Sequence, residues 1–204
     1  WKFSLLTLIA VCVILLLGFT LKETQGNKKK LKAFIPPKGC VFRTVMGEES
    51  SASFSVYKTP ESVQHSLDRG LTWIVKAQHQ NGGWGAGSHS RQDIIDPHAV
   101  ESDPATSAMV AMALLRNGST LTAGKYSSHL NKVLEYLMRA TESSNSESFN
   151  ITDLTGTQIQ TKLGQNIDVI LTAQFFSNVL DYVDKNSALK NRIEKNLNTC
   201  VAKI

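Results

Sequence analysis

Six residues whose side chains can titrate or bind a metal, His89, Asp93, Asp96, His98, Glu101 and Asp103, fall within fifteen positions. Imidazoles and carboxylates are ligands for zinc and other divalent ions. Their spacing here matches no standard metal site, and Pro97 bends the segment. His89, Asp93, Asp96 and His98 are therefore weak metal candidates on a solvated polar loop, and neither a metal nor another cofactor is expected. Glu101 and Asp103 are the only candidates for acid catalysis, and weak ones, because a strong carbon acid–base step needs a carboxylic group in a dry pocket. The alternative for Asp103 is structural: Asp103-Pro104 has the form of a helix start, with the aspartate as N-cap.

Other chemistry finds little support. There is no nucleophile elbow, phosphate loop or HExxH pattern. Of the three cysteines, Cys12 lies in an apolar run and no Cys-x-x-Cys occurs. Cys40 and Cys200 would pair in an oxidising compartment and remain thiols in a reducing one. The net charge of +5 is matched by Lys28, Lys29, Lys30, Lys32 and Lys38 alone. A short basic run without interleaved aromatics excludes nucleic acid as the expected partner. Asn117-Gly118-Ser119 and Asn150-Ile151-Thr152 match the glycosylation acceptor pattern.

The elements that must position these residues read as helices, with no strand alternation. Thr59-Pro60-Glu61 starts a first helix, which is expected to place Val63, Leu67, Leu71, Ile74 and Gln78 on one face and to stop near Gln80 before Asn81-Gly82-Gly83. A second, rich in small residues, runs from Asp103-Pro104 to Arg116 and stops at Asn117-Gly118. A third covers about 125–141, and the serine-rich stretch 142–150 after it reads as a mobile loop. A fourth, about 166–184, is apolar nearly all round and should be buried. The last, 186 to about 202, repeats Leu189, Ile193, Leu197 and Val201 at spacing four. His65, His79 and His129 read as helix-surface residues.

Ahead of these helices, residues 3–21 form nineteen positions without a charge. As a helix they would span roughly 28 Å, the thickness of a bilayer core. The run exceeds the usual apolar region of a signal peptide and no clear cleavage site follows it, which favours an uncleaved anchor over a signal peptide. Residues 22–58 read as a tether, and 59–204 as the folded domain. The expected location is the cell membrane, single-pass, with the domain extracytoplasmic. The lysines at 28–30 argue for the alternative, a cytoplasmic domain.

Arg69-Gly70, Trp73, Ile74-Val75, Gln78, Gly82 and Trp84 together resemble the QW repeat of the squalene cyclase and prenyltransferase superfamily. Asp103-Pro104-Ala105-Thr106-Ser107-Ala108 with Met112-Ala113-Leu114-Leu115 is similar to the repeat's second helix. The resemblance covers about 60–141 well and Gln160–Gly164 with the Asp168 helix more loosely. It implies paired helices stacked into an α/α toroid, with the Gln capping a neighbouring helix and the Trp stacking against it. Arg69, Gly70, Trp73, Gln78, Gly82 and Trp84 are thereby assigned structural roles. The family's class II cyclases use a DxDD acid motif, from which Glu101-Ser102-Asp103-Pro104 departs. Its prenyltransferases hold zinc with a Cys, and none lies near this loop.

The expected fold is therefore all-α: a transmembrane helix followed by a partial toroid of about five helices. The expected function is that of a non-enzymatic, membrane-anchored accessory or scaffold subunit. It would contact integral membrane partners, and the bilayer itself through residues 3–21. The alternative is a lipid or isoprenoid binder, or a residual terpene-cyclase-like enzyme.

Overall fold

The computed structural model describes residues 60–204. The apolar run 3–21, the tether 22–58, Thr59 and Cys40, with its suggested pairing to Cys200, lie outside them. The described residues form α1 Glu61–Lys76, α2 Pro104–Arg116, α3 Ser127–Ser143, α4 Gln158–Leu163, α5 Ile167–Val179 and α6 Ala188–Lys203, with short 3-10 turns at Pro97–Ala99 and Leu180–Tyr182. They contain no strand, only isolated bridges between Trp84 and Asp103 and between Ser88 and Thr157. No helix among them is long and apolar enough to cross a membrane.

Four helices close a cycle of contacts, α2 on α3, α3 on α6, α6 on α5 and α5 on α2. The α2–α5 contact is the most extensive. Its closeness follows from composition: Ala105, Ala108 and Ala111 are fully buried, and small side chains let the neighbouring backbone approach. Between the four helices Leu114, Leu130, Leu137, Phe175, Phe176 and Ile193 are sealed from solvent. Truncating such a leucine to alanine costs about 2–5 kcal/mol.

Several boundaries differ from those the sequence suggests. Helix α1 ends at Lys76, four residues early, so Gln78 lies beyond it rather than on its face. The chain instead doubles back: Gly82 N–H donates to His79 O, and His79 N–H to Gly83 O. Pro60 occupies the N-cap position and makes no side-chain cap bond. The fourth predicted helix stops at Val179, and its last turn tightens to 3-10. The short α4 was not expected; Thr157 and Gln160 form a reciprocal capping box at its start.

On α6 the buried residues are Ile193, Asn196, Cys200 and Lys203, while Val201 is exposed. A spacing of four drifts about 40° per step, so three steps carry Val201 about 120° off the inner face. The 142–150 stretch, read as mobile, is tied down: buried Lys203 donates from Nζ to Asn145 O at 2.7 Å and to Ser148 O at 2.8 Å.

Candidate functional site

The two acids nearest to chemistry sit at the N-terminus of α2. The first four N–H positions of a helix lack internal partners. Here each is accounted for: Pro104 has none, Ala105 N–H donates to Asp168 Oδ1 at 3.0 Å, and Thr106 N–H donates to Asp103 Oδ1 at 2.7 Å. The fourth, Asp103 N–H, donates to Trp84 O at 2.9 Å. Asp103 Oδ2 also accepts from Thr106 Oγ1 at 2.9 Å and Ala86 N at 3.3 Å. Asp168 Oδ2 accepts from Gln160 Nε2 at 2.8 Å. Both carboxylates are buried and benefit from the helix dipole. Burial pushes the Asp103 carboxyl above the ordinary aspartate value, and the nearby Asp168 adds to the rise, against the lowering by its hydrogen bonds. With three donors on its two oxygens, Asp103 is occupied as a cap. Asp168, which no motif singled out, completes that cap from α5.

The motif residues divide into two sets. Gln78, Gly82 and Trp84 brace the fold. Gln78 Nε2 donates to Gly82 O at 2.8 Å and to His129 O at 3.1 Å, and its Oε1 accepts from His129 Nδ1 at 2.6 Å. The amide is thus fully used in tying the turn after α1 to the first turn of α3. His129 is half-buried rather than a surface residue; burial and the nearby Lys132 hold its imidazole below the usual value, favouring the neutral ring. Trp84 is buried and its Nε1–H donates at 2.7 Å to Ile74 O, a carbonyl of α1's last turn. The indole, more than the amide, serves a helix end. Gly82 has φ 96°, and a Cβ there would overlap Lys132 O. The second set, Arg69, Gly70 and Trp73, faces outward: Trp73 is 60% exposed and nothing packs on Gly70.

The titratable loop does not converge. Asp93 takes Arg91 bidentately at 3.0 and 3.1 Å, and Asp96 accepts from His98 N. His89 Nδ1 donates to Gln158 Oε1 at 3.1 Å. His79, also expected on a helix surface, lies in the turn after α1; its Nε2 donates to Pro97 O, and its ring lies 5.5 Å from that of His98. Among the described residues no three His, Cys, Asp or Glu side chains come together as a metal site would require.

Two cavities border this region. The larger, about 670 Å³, lies between the C-terminal half of α3, the 144–154 segment and Glu101-Ser102. Its floor includes Tyr136, whose hydroxyl donates to Ser102 O at 2.9 Å and which burial pushes up to about 12. The smaller, about 230 Å³, is lined by Ile94, Ala99, Val100, Glu101 and Asp103 among others. The structure thus brings the two candidate acids to one chamber, but its volume falls below the usual range for ligand pockets. The one cation among its described lining residues, Arg91, is already paired with Asp93. Among the described residues neither cavity is lined by the free positive charge that a diphosphate ligand requires.

Compared with known families, curated proteins and solved structures, the chain matches none.

Proposed function

We propose that this chain is a non-enzymatic accessory subunit of a membrane assembly. It is held at the membrane by residues 3–21, and its helical domain, a partial α/α toroid of QW-repeat type, docks against a helix of an integral membrane partner. One observation carries this reading: the outer face of α1. Val63 is 53%, Leu67 46% and Trp73 60% exposed. Gly70 lies between Leu67 and Trp73 on the helix surface, with open space where its side chain would be. Apolar side chains flanking a bare patch of backbone suit close approach by a second helix, and exposed apolar patches mark interaction sites. Helix α1 packs along no other described helix, being held by Leu71 and Ala77 with Ile74 and Val75 at its edge. Support for the non-enzymatic part comes from the occupied acceptors of Asp103 and Asp168.

The test is mass spectrometry on the full chain drawn from its native membrane in mild detergent, alongside the Val63→Ser/Leu67→Ser/Trp73→Ser variant. A stoichiometric partner recovered with the parent and lost with the variant is expected. Equal recovery by both would remove α1 as the docking face. If Glu101→Ala/Asp103→Ala abolished the biological role while the protein stayed folded, the non-enzymatic reading would fall.

A further inference from the structure

The exposed row on α1 is symmetric about Gly70. Counting outward from that glycine in both directions meets Leu67 and Trp73 first, then Ser66 and Ile74, then Val63 and Ala77. At about 100° per residue, Leu67 and Trp73 stand about 60° to either side of Gly70, and the other four lie closer to its line. All seven therefore share one half of the helix surface, and none carries a charge. Val63, Ser66, Leu67, Gly70 and Trp73 are exposed, Ile74 is half-buried and only Ala77, at the C-cap, is covered.

A face with this symmetry complements itself. A second copy turned about a two-fold axis through Gly70 presents its Trp73 to Leu67, its Leu67 to Trp73 and its Ser66 to Ile74, as an isologous interface requires. The large side chains then interleave on either side of the centre. At the centre both chains carry glycine, with open space where a side chain would be, so the two backbones can meet. The charges favour the same direction. Glu61 lies in the first turn of α1 and Lys76 in the last, so antiparallel helices set opposite charges and opposite dipole ends side by side, whereas parallel ones set like beside like.

We propose that the helix docked on α1 is α1 of a second copy of this chain, antiparallel and crossing at Gly70. This rests on the α1 reading above and names its partner, since a second copy brings its own residues 3–21 to the membrane. One helix pair falls short of the about 1,200–2,000 Å² that a standard interface buries. Anchoring supplies the rest by confining both copies to one plane, where their effective concentration is high.

The test is oxidative cross-linking of the full chain in its native membrane, with Cys12→Ser and Cys40→Ser throughout; Cys200 is buried and stays. Chains with Leu67→Cys and differently tagged chains with Trp73→Cys, expressed together, should join to each other at least tenfold more than either joins to its own kind. Gly70→Ile added to both should lower the mixed product at least tenfold with the melting midpoint unchanged, because nothing of the fold lies within 4 Å of that position. Absence of a mixed product overturns the proposal. So do like-with-like products as strong as the mixed one, or a mixed product that survives Gly70→Ile. If the proposal falls in this way and Val63→Ser/Leu67→Ser/Trp73→Ser still loses a different stoichiometric protein, docking on α1 stands and only the second copy is excluded. If that variant loses nothing, both readings fall.

Discussion

Asp103 and Asp168 show how one helix end draws on two distant parts of the chain. Their oxygens serve Ala105 N, Thr106 N and Gln160 Nε2, donors within or at the edge of the buried core. Alanine at Asp168 leaves buried donors without an acceptor, and a loss of about 1–3 kcal/mol is expected in urea unfolding of the full chain. Alanine at Asp103 removes the cap and should cost about 1–2 kcal/mol. Asparagine there keeps an oxygen for Thr106 N and should cost less. Trp84 offers a similar separation. Phenylalanine removes only the bond to Ile74 O, about 1 kcal/mol; alanine also empties a buried site and should cost about 3–5 kcal/mol. Equal losses for the two would show that the indole N–H carries the whole effect.

At the scale of elements, α6 is fastened to α3 by charge. Arg192 takes Glu135 and Glu142 at 2.7–3.2 Å, and Asn196 adds a bond to Glu142. The guanidinium holds the Glu142 carboxyl down at about 2, below its ordinary 4.5. A depressed carboxyl stabilises the folded state above its unfolded value and loses that contribution as pH falls. The clasp is therefore in place above about pH 4.5 and weakens toward pH 2. Thermal melts from pH 6 to 3 should show a falling midpoint, with a shallower fall in Glu142→Gln. The change should be modest because these side chains are 36–43% exposed and water screens them. Lys203 fastens the other end of the same helix. Replacing it with methionine frees Asn145 O and Ser148 O, and amide exchange across 145–150 should quicken. Unchanged exchange there would mean the local Asn145 and Ser148 turns suffice to hold the segment.

For the whole molecule, the cycle of α2, α3, α6 and α5 contains the core, and α1 is attached at its edge. A folded core with an overhanging apolar helix face separates stability from docking. Val63→Ser/Leu67→Ser/Trp73→Ser should change unfolding free energy by little, on the order of 0.5 kcal/mol per site, while removing partner recovery. A large stability loss instead would show that this face is already covered within the chain.

Local chemistry was enough to read much of this from sequence. Asp103-Pro104 and Asn117-Gly118 bound α2 within a residue, because caps act through neighbours in the chain. The all-helical class followed from apolar spacing, and the Thr157–Gln160 box that starts α4 was present to be read. What required the tertiary structure involves partners far apart in sequence. Asp168 lies sixty-three residues from the amide it caps, and Gln78 fifty-one from His129. Lys203 reaches back more than fifty residues to the loop it pins. The same applies to the division of the tryptophans. Trp73 and Trp84 stand eleven positions apart in one stretch of sequence, yet only the fold buries one and leaves the other exposed, because burial depends on which helices arrive alongside.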